Sequence, residues 1–191
     1  MVKYIRDIVI TVIAAVIIFL VLQITIGSFK VYGVSMMPGI KHGEYIMVNK
    51  AVYYFQDPRR GDVIVFRSPR SPDSDLIKRV IGLPGDTVEI KDGAVYVNQK
   101  PLTENYIAES PSYKYPCVEV PDNNYFVLGD NRNNSADSHT GWFLPRENII
   151  GRLWISYWPL ENWATIAHYQ LLAASARLTF LQKTKRQLQL E

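Results

Sequence analysis

A mainly β, antiparallel domain behind one N-terminal apolar helix is the fold class that this 191-residue chain predicts. Two observations carry the prediction. The chain opens on a long uncharged stretch, and after Lys30 it breaks into short runs of β-branched and aromatic residues divided by turn formers. Between 30 and 160 no long amphipathic helix intervenes, which argues against βαβ units. Hydrophobic residues make up 48% of the chain, enough for one compact domain plus an appendage.

Positions 8–29 carry no charged side chain. As a helix rising about 1.5 Å per residue, that stretch is about 33 Å long, sufficient for the hydrocarbon core of a bilayer. Thr11, Gln23 and Thr25 dilute it without forbidding insertion. Lys3 and Arg6 precede it, so residues 1–7 are expected in the cytoplasm and the bulk of the chain on the extracytoplasmic face of a cell membrane. A cleavable signal peptide is the alternative, but its apolar region is normally about 7–15 residues and ends in a small-x-small site. Here the run is longer and no Ala-x-Ala follows it, so a retained transmembrane helix over 8–29 is expected, ahead of a buried core helix.

Residues 45–48, 62–66, 87–90, 94–97 and 125–128 read as strands, and Lys91-Asp92-Gly93 reads as a hairpin turn. The β domain is expected over 30–160. Within it 87–124, a hairpin followed by a loop with Pro111, Pro116 and Pro121, looks like a smaller β lobe inserted between two motif-bearing segments. After Pro159 the pattern changes. Trp163, Ala167, Leu171, Ala174, Leu178 and Leu181 recur every three or four residues, one face of a helix, ahead of Lys183, Lys185 and Arg186. Residues 161–191 are accordingly expected to be an amphipathic basic tail, interrupted by His168 and Arg177 and too short to span a second time.

A net charge of +3, with no basic block interleaved with aromatics, offers no footprint for nucleic acid. The single cysteine, Cys117, excludes an internal disulfide and a Cys-based zinc cluster; between Pro116 and Val118 it is expected to be a small packing residue.

Two residues carry candidate chemistry. Ser35 lies in Gly33-Val34-Ser35-Met36-Met37-Pro38, and Lys78 in Ile77-Lys78-Arg79-Val80-Ile81-Gly82. A serine hydroxyl is a poor nucleophile until a base removes its proton. Lysine can serve only where desolvation lets its ammonium lose its charge, and Ile77, Val80 and Ile81 supply an apolar setting if Lys78 points inward. Ser35 is no α/β-hydrolase elbow, because Met37 stands where that motif needs glycine. Taken singly, a turn serine and a surface lysine are the ordinary readings of both.

The third element is the polar run Gly129-Asp130-Asn131-Arg132-Asn133-Asn134-Ser135-Ala136-Asp137-Ser138-His139, a turn after the strand at 125–128. Asn131, Asn133, Ser135 and Asp137 alternate as in a calcium loop, but Ala136 and Trp142 occupy the places of its glycine and terminal acid, so no metal is expected.

Four boxes in order resemble the bacterial type I signal peptidases (leader peptidases), membrane serine proteases with a Ser/Lys dyad. They are Gly-x-Ser-Met-x-Pro at 33–38, Gly-Asp-Val-Ile-Val-Phe at 61–66, Lys-Arg-Val-Ile-Gly-Leu-Pro-Gly-Asp at 78–86 and Gly-Asp-Asn-Arg-Asn-Asn-Ser-x-Asp-Ser at 129–138. The resemblance implies a mainly β catalytic fold that removes signal peptides from exported preproteins, cleaving after small residues through an acyl-enzyme. It implies Ser35 as nucleophile and Lys78 as general base, with Ser135 hydrogen-bonding and orienting the lysine and Asp137 bracing the loop. Gly129, Asp130 and Asn131 would shape the turn beside the dyad, turn capping being the plainer role for Asp130 and Asp137. Met36, Ile40, Leu76 and Ile77 flank the pair and are expected either to wall shallow pockets or to be plain core. The partners implied are signal peptides and the lipid bilayer, for an enzyme acting as a monomer without metal or cofactor.

Two departures from the family pattern stand out. His139 occupies the place usual for an arginine paired with Asp137, and Thr140-Gly141-Trp142 differs from the aromatic-then-glycine order. Gly33 offers no hydroxyl to an oxyanion, leaving the Ser35 backbone N–H as a principal donor. A self-cleaving repressor would share the dyad but carry a DNA-binding domain in place of the anchor. A tethered binding domain is the rival from another class, opposed by the joint presence of Ser35, Lys78 and Ser135.

Overall fold

The structure, a computed structural model, describes residues 2–160 together with 164 and 165. Helix α1 (Val2–Thr25) is apolar, and its side chains are exposed all round along most of its length. A helix apolar on every face and packed on nothing is stable in lipid, not in water. It starts earlier and stops sooner than the uncharged stretch: Thr25 turns its hydroxyl back to the Val21 carbonyl at 2.8 Å, and the chain continues directly as β1 (Ile26–Lys30). The expected helix over 8–29 is therefore corrected at its end. Gly27 shows why. A Cβ there would meet Lys50 Cε at 2.6 Å and the Phe29 ring at 2.8 Å, so glycine lets β1 pair closely with the next strand, where a helix would only weaken.

The remaining strands are β2 (Tyr45–Asn49), β3 (Val63–Arg67), β4 (Asp75–Gly82), β5 (Thr87–Lys91), β6 (Ala94–Val97), β7 (Lys100–Pro101), β8 (Tyr115–Glu119), β9 (Asn124–Leu128), β10 (Leu144–Pro145), β11 (Ile149–Trp158) and β12 (Ala164–Thr165). A one-turn helix α2 (Val52–Phe55) follows β2. The main sheet runs β1-β2-β11-β3-β4-β9-β10 with β12 added to β11, and a second sheet runs β7-β6-β5-β8; all pairs are antiparallel. The segment 87–119 thus builds a sheet of its own between β4 and β9. Its hairpin turns on Asp92 and Gly93, both at positive φ (51° and 72°), the pair of left-handed residues that a two-residue turn requires.

The long strand β11 had no counterpart among the expected strands, although Gly151, Leu153 and Ser156 alternate with more exposed neighbours. It is the spine of the domain, with β2 on one side and β3 on the other. Cys117 is exposed on β8, not packed. Among the described residues that strand is the edge of its sheet, paired with β5, and none of its residues is fully buried. The helical face expected from Trp163 onward lies outside the described residues, apart from Ala164 and Thr165, which pair with β11 as strand.

Four successive antiparallel pairings separate β1 from β4, so these two strands run in the same direction. The sheet curls until the Phe29–Tyr32 side and the beginning of β4 face one cleft of about 100 Å³, floored by Ile46, Val65 and Ile77. Val31, Met36, Ile40, Ile46, Val48, Val63, Val65, Ile77 and Leu153 form the core beneath it.

Candidate active site

Ser35 sits in the turn between β1 and β2, and Lys78 lies midway along β4. Lys78 pairs with Ile64 of β3 on one side, and the ladder to β9 begins only at Arg79. Lys78 Nζ donates to Ser35 Oγ at 2.7 Å and to the Ile77 carbonyl at 3.0 Å. The lysine is 3% exposed. Burial pulls its ammonium down to about 8 from the ordinary 10.5, and Asp137 and Asp130 oppose that pull without cancelling it. A lysine so placed gives up its proton within reach of neutral pH, next to a hydroxyl whose proton it can take.

The polar run at 129–139 packs behind this pair. The Asn131 N–H donates to the Ser35 carbonyl at 2.9 Å, and Asn131 Nδ2 donates to the Val34 carbonyl at 3.1 Å. Asp137 is fully buried; its Oδ2 accepts the Gly129 N–H at 2.9 Å, and its Oδ1 meets His139 Nδ1 at 2.7 Å. The His139 ring in turn stacks on Tyr113 at 4.2 Å between centroids. The imidazole thus makes the single side-chain contact open to it where a guanidinium would make two.

Asp130 does more than cap a turn. Arg79 grips it with two parallel hydrogen bonds, Nε to Oδ1 at 2.8 Å and Nη2 to Oδ2 at 2.6 Å, in a pair almost wholly withdrawn from solvent. Burial works against the guanidinium, yet its bonds to Asp130 hold it charged, above its ordinary value. Gly129 packs so closely that a Cβ would lie 2.5 Å from the Ser35 carbonyl oxygen and collide with Ser135 Oγ.

The expected role of Ser135 is corrected here, and of the two readings offered for Met36 and Ile40 the core one is found. Ser135 Oγ makes no hydrogen bond among the described residues, and Lys78 takes its second acceptor from the Ile77 backbone instead. The serine is turned onto Gly129, where the close approach of the backbone leaves its hydroxyl enclosed. Met36 and Ile40 are 1% and 2% exposed and belong to the core below the cleft, because the turn after Ser35 folds them inward. Leu76 and Ile77 do line the cleft. Sequence reading passed over Arg79, Arg132, Glu104 and Tyr106. The two arginines stood inside the motif boxes without being singled out; Glu104 and Tyr106 gave no signal at all.

A family model described as signal peptidase, peptidase S26 matches residues 2–158. The chain belongs to that family. It is 45% identical over 147 residues to a protein of Synechocystis sp. named probable signal peptidase I-1, covering 73% of this chain and 75% of that one. With signal peptidase I S of Bacillus subtilis it shares 37% identity over 163 residues, 79% of this chain and 87% of the relative. With the chloroplastic thylakoidal processing peptidase 1 of Arabidopsis thaliana it shares 38% over 149 residues, 72% of this chain and 44% of the plant protein. A crystal structure of a signal peptidase I from Enterococcus faecalis is 37% identical, covering 51% of this chain and 97% of that one, with a TM-score of 0.45. In this S26 peptidase the apolar helix α1 is of a length and composition suited to anchoring it in a membrane.

Proposed function

We propose that the chain is a membrane-anchored serine endopeptidase that removes signal peptides from exported preproteins, with Ser35 as nucleophile and Lys78 as its base. The observation that carries the reading is the 2.7 Å bond between Lys78 Nζ and Ser35 Oγ, made by a lysine that burial has brought to about 8. Neutral Lys78 takes the hydroxyl proton as Ser35 Oγ attacks the scissile carbonyl carbon. The Ser35 N–H donates to no acceptor among the described residues and is available to the oxyanion. As the tetrahedral intermediate collapses, the C–N bond breaks and the Lys78 ammonium returns the proton to the leaving amine. Water, deprotonated by the same lysine, then hydrolyses the acyl-enzyme.

The cleft suits an extended peptide with small side chains. Positions 75–77 of β4 pair with β3 on one side, and no described strand pairs with the other, so a substrate strand can add there. Both β1 and β4 run toward the dyad, and β1 begins where the anchor ends. A substrate whose N-terminal half is still in the bilayer would enter from that end, which places its acyl half along the cleft. The available space of about 100 Å³ next to Ser35 favours small side chains at the cleavage site.

Ser35→Ala and Lys78→Arg test the dyad on a purified preprotein in detergent. Each should lower cleavage by about a thousandfold or more while the domain stays folded, since a guanidinium does not deprotonate in proteins. Robust turnover by either variant would overturn the assignment. The catalytic domain faces outward on this reading, following Lys3 and Arg6. Protease added outside spheroplasts should digest the chain beyond residue 30, and protection from that side would reverse the topology.

A further inference from the structure

We propose that the inserted lobe positions the nucleophile, Glu104 acting through Arg132 to fix the loop from which Ser35 hangs. The inference rests on the dyad assignment above and gives residues 87–124 a part in the reaction. Glu104 offers both carboxylate oxygens to Arg132, Oε2 to Nη1 and Oε1 to Nη2, the latter at 2.7 Å. The two side chains are 5% and 0% exposed. Arg132 Nε donates to the Gly129 carbonyl at 3.0 Å, and the next-but-one residue, Asn131, holds the carbonyls of Ser35 and Val34. A rigid path therefore leads from the lobe to the nucleophile.

The contact is a seam, not a point. Tyr106 donates its hydroxyl to Glu104 Oε1, and two guanidinium groups stand over its ring, Arg79 at 4.1 Å and Arg132 at 5.8 Å from the centroid. Arg79 is the neighbour of Lys78 and the partner of Asp130. Farther along, Asn133 Oδ1 accepts from the Ser112 N–H and Oγ at 2.8 and 2.9 Å, and Tyr113 stacks on His139. Segment 104–113 of the lobe thus lies along 131–139 of the catalytic loop. Buried ion pairs add little net stability over apolar packing. A bidentate carboxylate–guanidinium pair does fix orientation, and a misplacement of about 1 Å in an active site can cost about a hundredfold in rate.

The test uses the full chain in detergent and a quenched fluorescent peptide with a small-x-small site, assayed well below each melting midpoint and normalised to folded enzyme. Glu104→Gln should lower kcat by about tenfold or more with KM within about twofold, and Glu104→Asp should regain most of the loss. Tyr113→Ala, which removes a separate contact of the same seam, should lower kcat by several-fold, again with KM held. Parental kcat in Glu104→Gln alongside a lowered melting midpoint would reduce the lobe to a structural role and overturn the proposal; so would failure of Glu104→Asp to exceed Glu104→Gln. If Glu104→Gln does not fold, Tyr113→Ala decides by the same criterion. Ser35→Ala runs in parallel: full cleavage by that variant would sink the dyad assignment, whereas its inactivity with unaffected Glu104 and Tyr113 variants sinks only the positioning role.

Discussion

The backbone N–H of Asn131 is bonded at 2.9 Å to the carbonyl of Ser35, joining the turn after β9 to the turn after β1. A second bond, from Asn131 Nδ2 to the Val34 carbonyl at 3.1 Å, doubles the attachment. Ser35 is thereby suspended from the loop that also carries Asp130 and Asp137, the two carboxylates that act on Lys78. Lys78 reaches Ser35 from the other side of the cleft, from a strand that Arg79 ties to the same loop. The short Lys78–Ser35 distance is a property of this three-way arrangement, and each part can be perturbed separately.

Gly129→Ala should be among the most damaging single changes. Its Cβ would stand 2.5 Å from the Ser35 carbonyl oxygen, and backbone cannot swing aside as a side-chain tip can. Activity should drop by about a hundredfold, with the melting midpoint lowered by several degrees. Parental kcat/KM in the folded variant would contradict the close packing of this loop on Ser35.

Activity should follow the deprotonation of Lys78. With its ammonium brought to about 8, roughly a tenth of the enzyme holds a neutral lysine at a pH one unit lower. The acid limb of kcat/KM should therefore rise through about pH 8, well below the value of a solvated lysine. A profile rising only near pH 10 would show that Lys78 is not the base.

The same group makes stability depend on pH. The folded value of about 8 lies below the ordinary 10.5, so between those values the unfolded chain binds more protons than the folded one. Stability then rises with pH across that window. Below it the buried ammonium imposes its full cost, and above it the cost is gone. Lys78→Met should accordingly be more stable than the parent below about pH 8, by an amount that shrinks by about 3 kcal/mol as pH climbs past 10. Parallel stability curves for the two chains would refute the burial of a titrating lysine.

Breaking the Arg79–Asp130 pair should cost far more than a surface ion pair. Asp130→Ala strands a buried guanidinium, and a loss of about 3–5 kcal/mol is expected in chemical denaturation. As a control, Lys91→Ala removes an exposed pair with Glu89 and should leave the denaturation midpoint almost where it was. Similar losses in both variants would contradict the burial of Asp130.

What the sequence by itself determined is what short-range pattern and motif order encode. The anchor follows from a run without charge, the strands from β-branched alternation, and the β5–β6 hairpin from Asp92 and Gly93. Ser35 and Lys78 stood out because each had a motif around it, and a resemblance spanning four boxes tied them together. The tertiary structure decided the rest. Positions 26–29 continue the apolar run but become strand, because Gly27 can lie against Lys50 where a larger residue cannot. Arg79 and Arg132 look like solvated charges until the curl of the sheet closes over them and supplies Asp130 and Glu104 as partners. Met36 and Ile40 follow Ser35 closely in sequence, yet the turn sends them into the core. Local preference reaches only a few residues along the chain; pairing a charge with its partner or choosing the face a side chain takes depends on contacts that exist only once the sheet has closed.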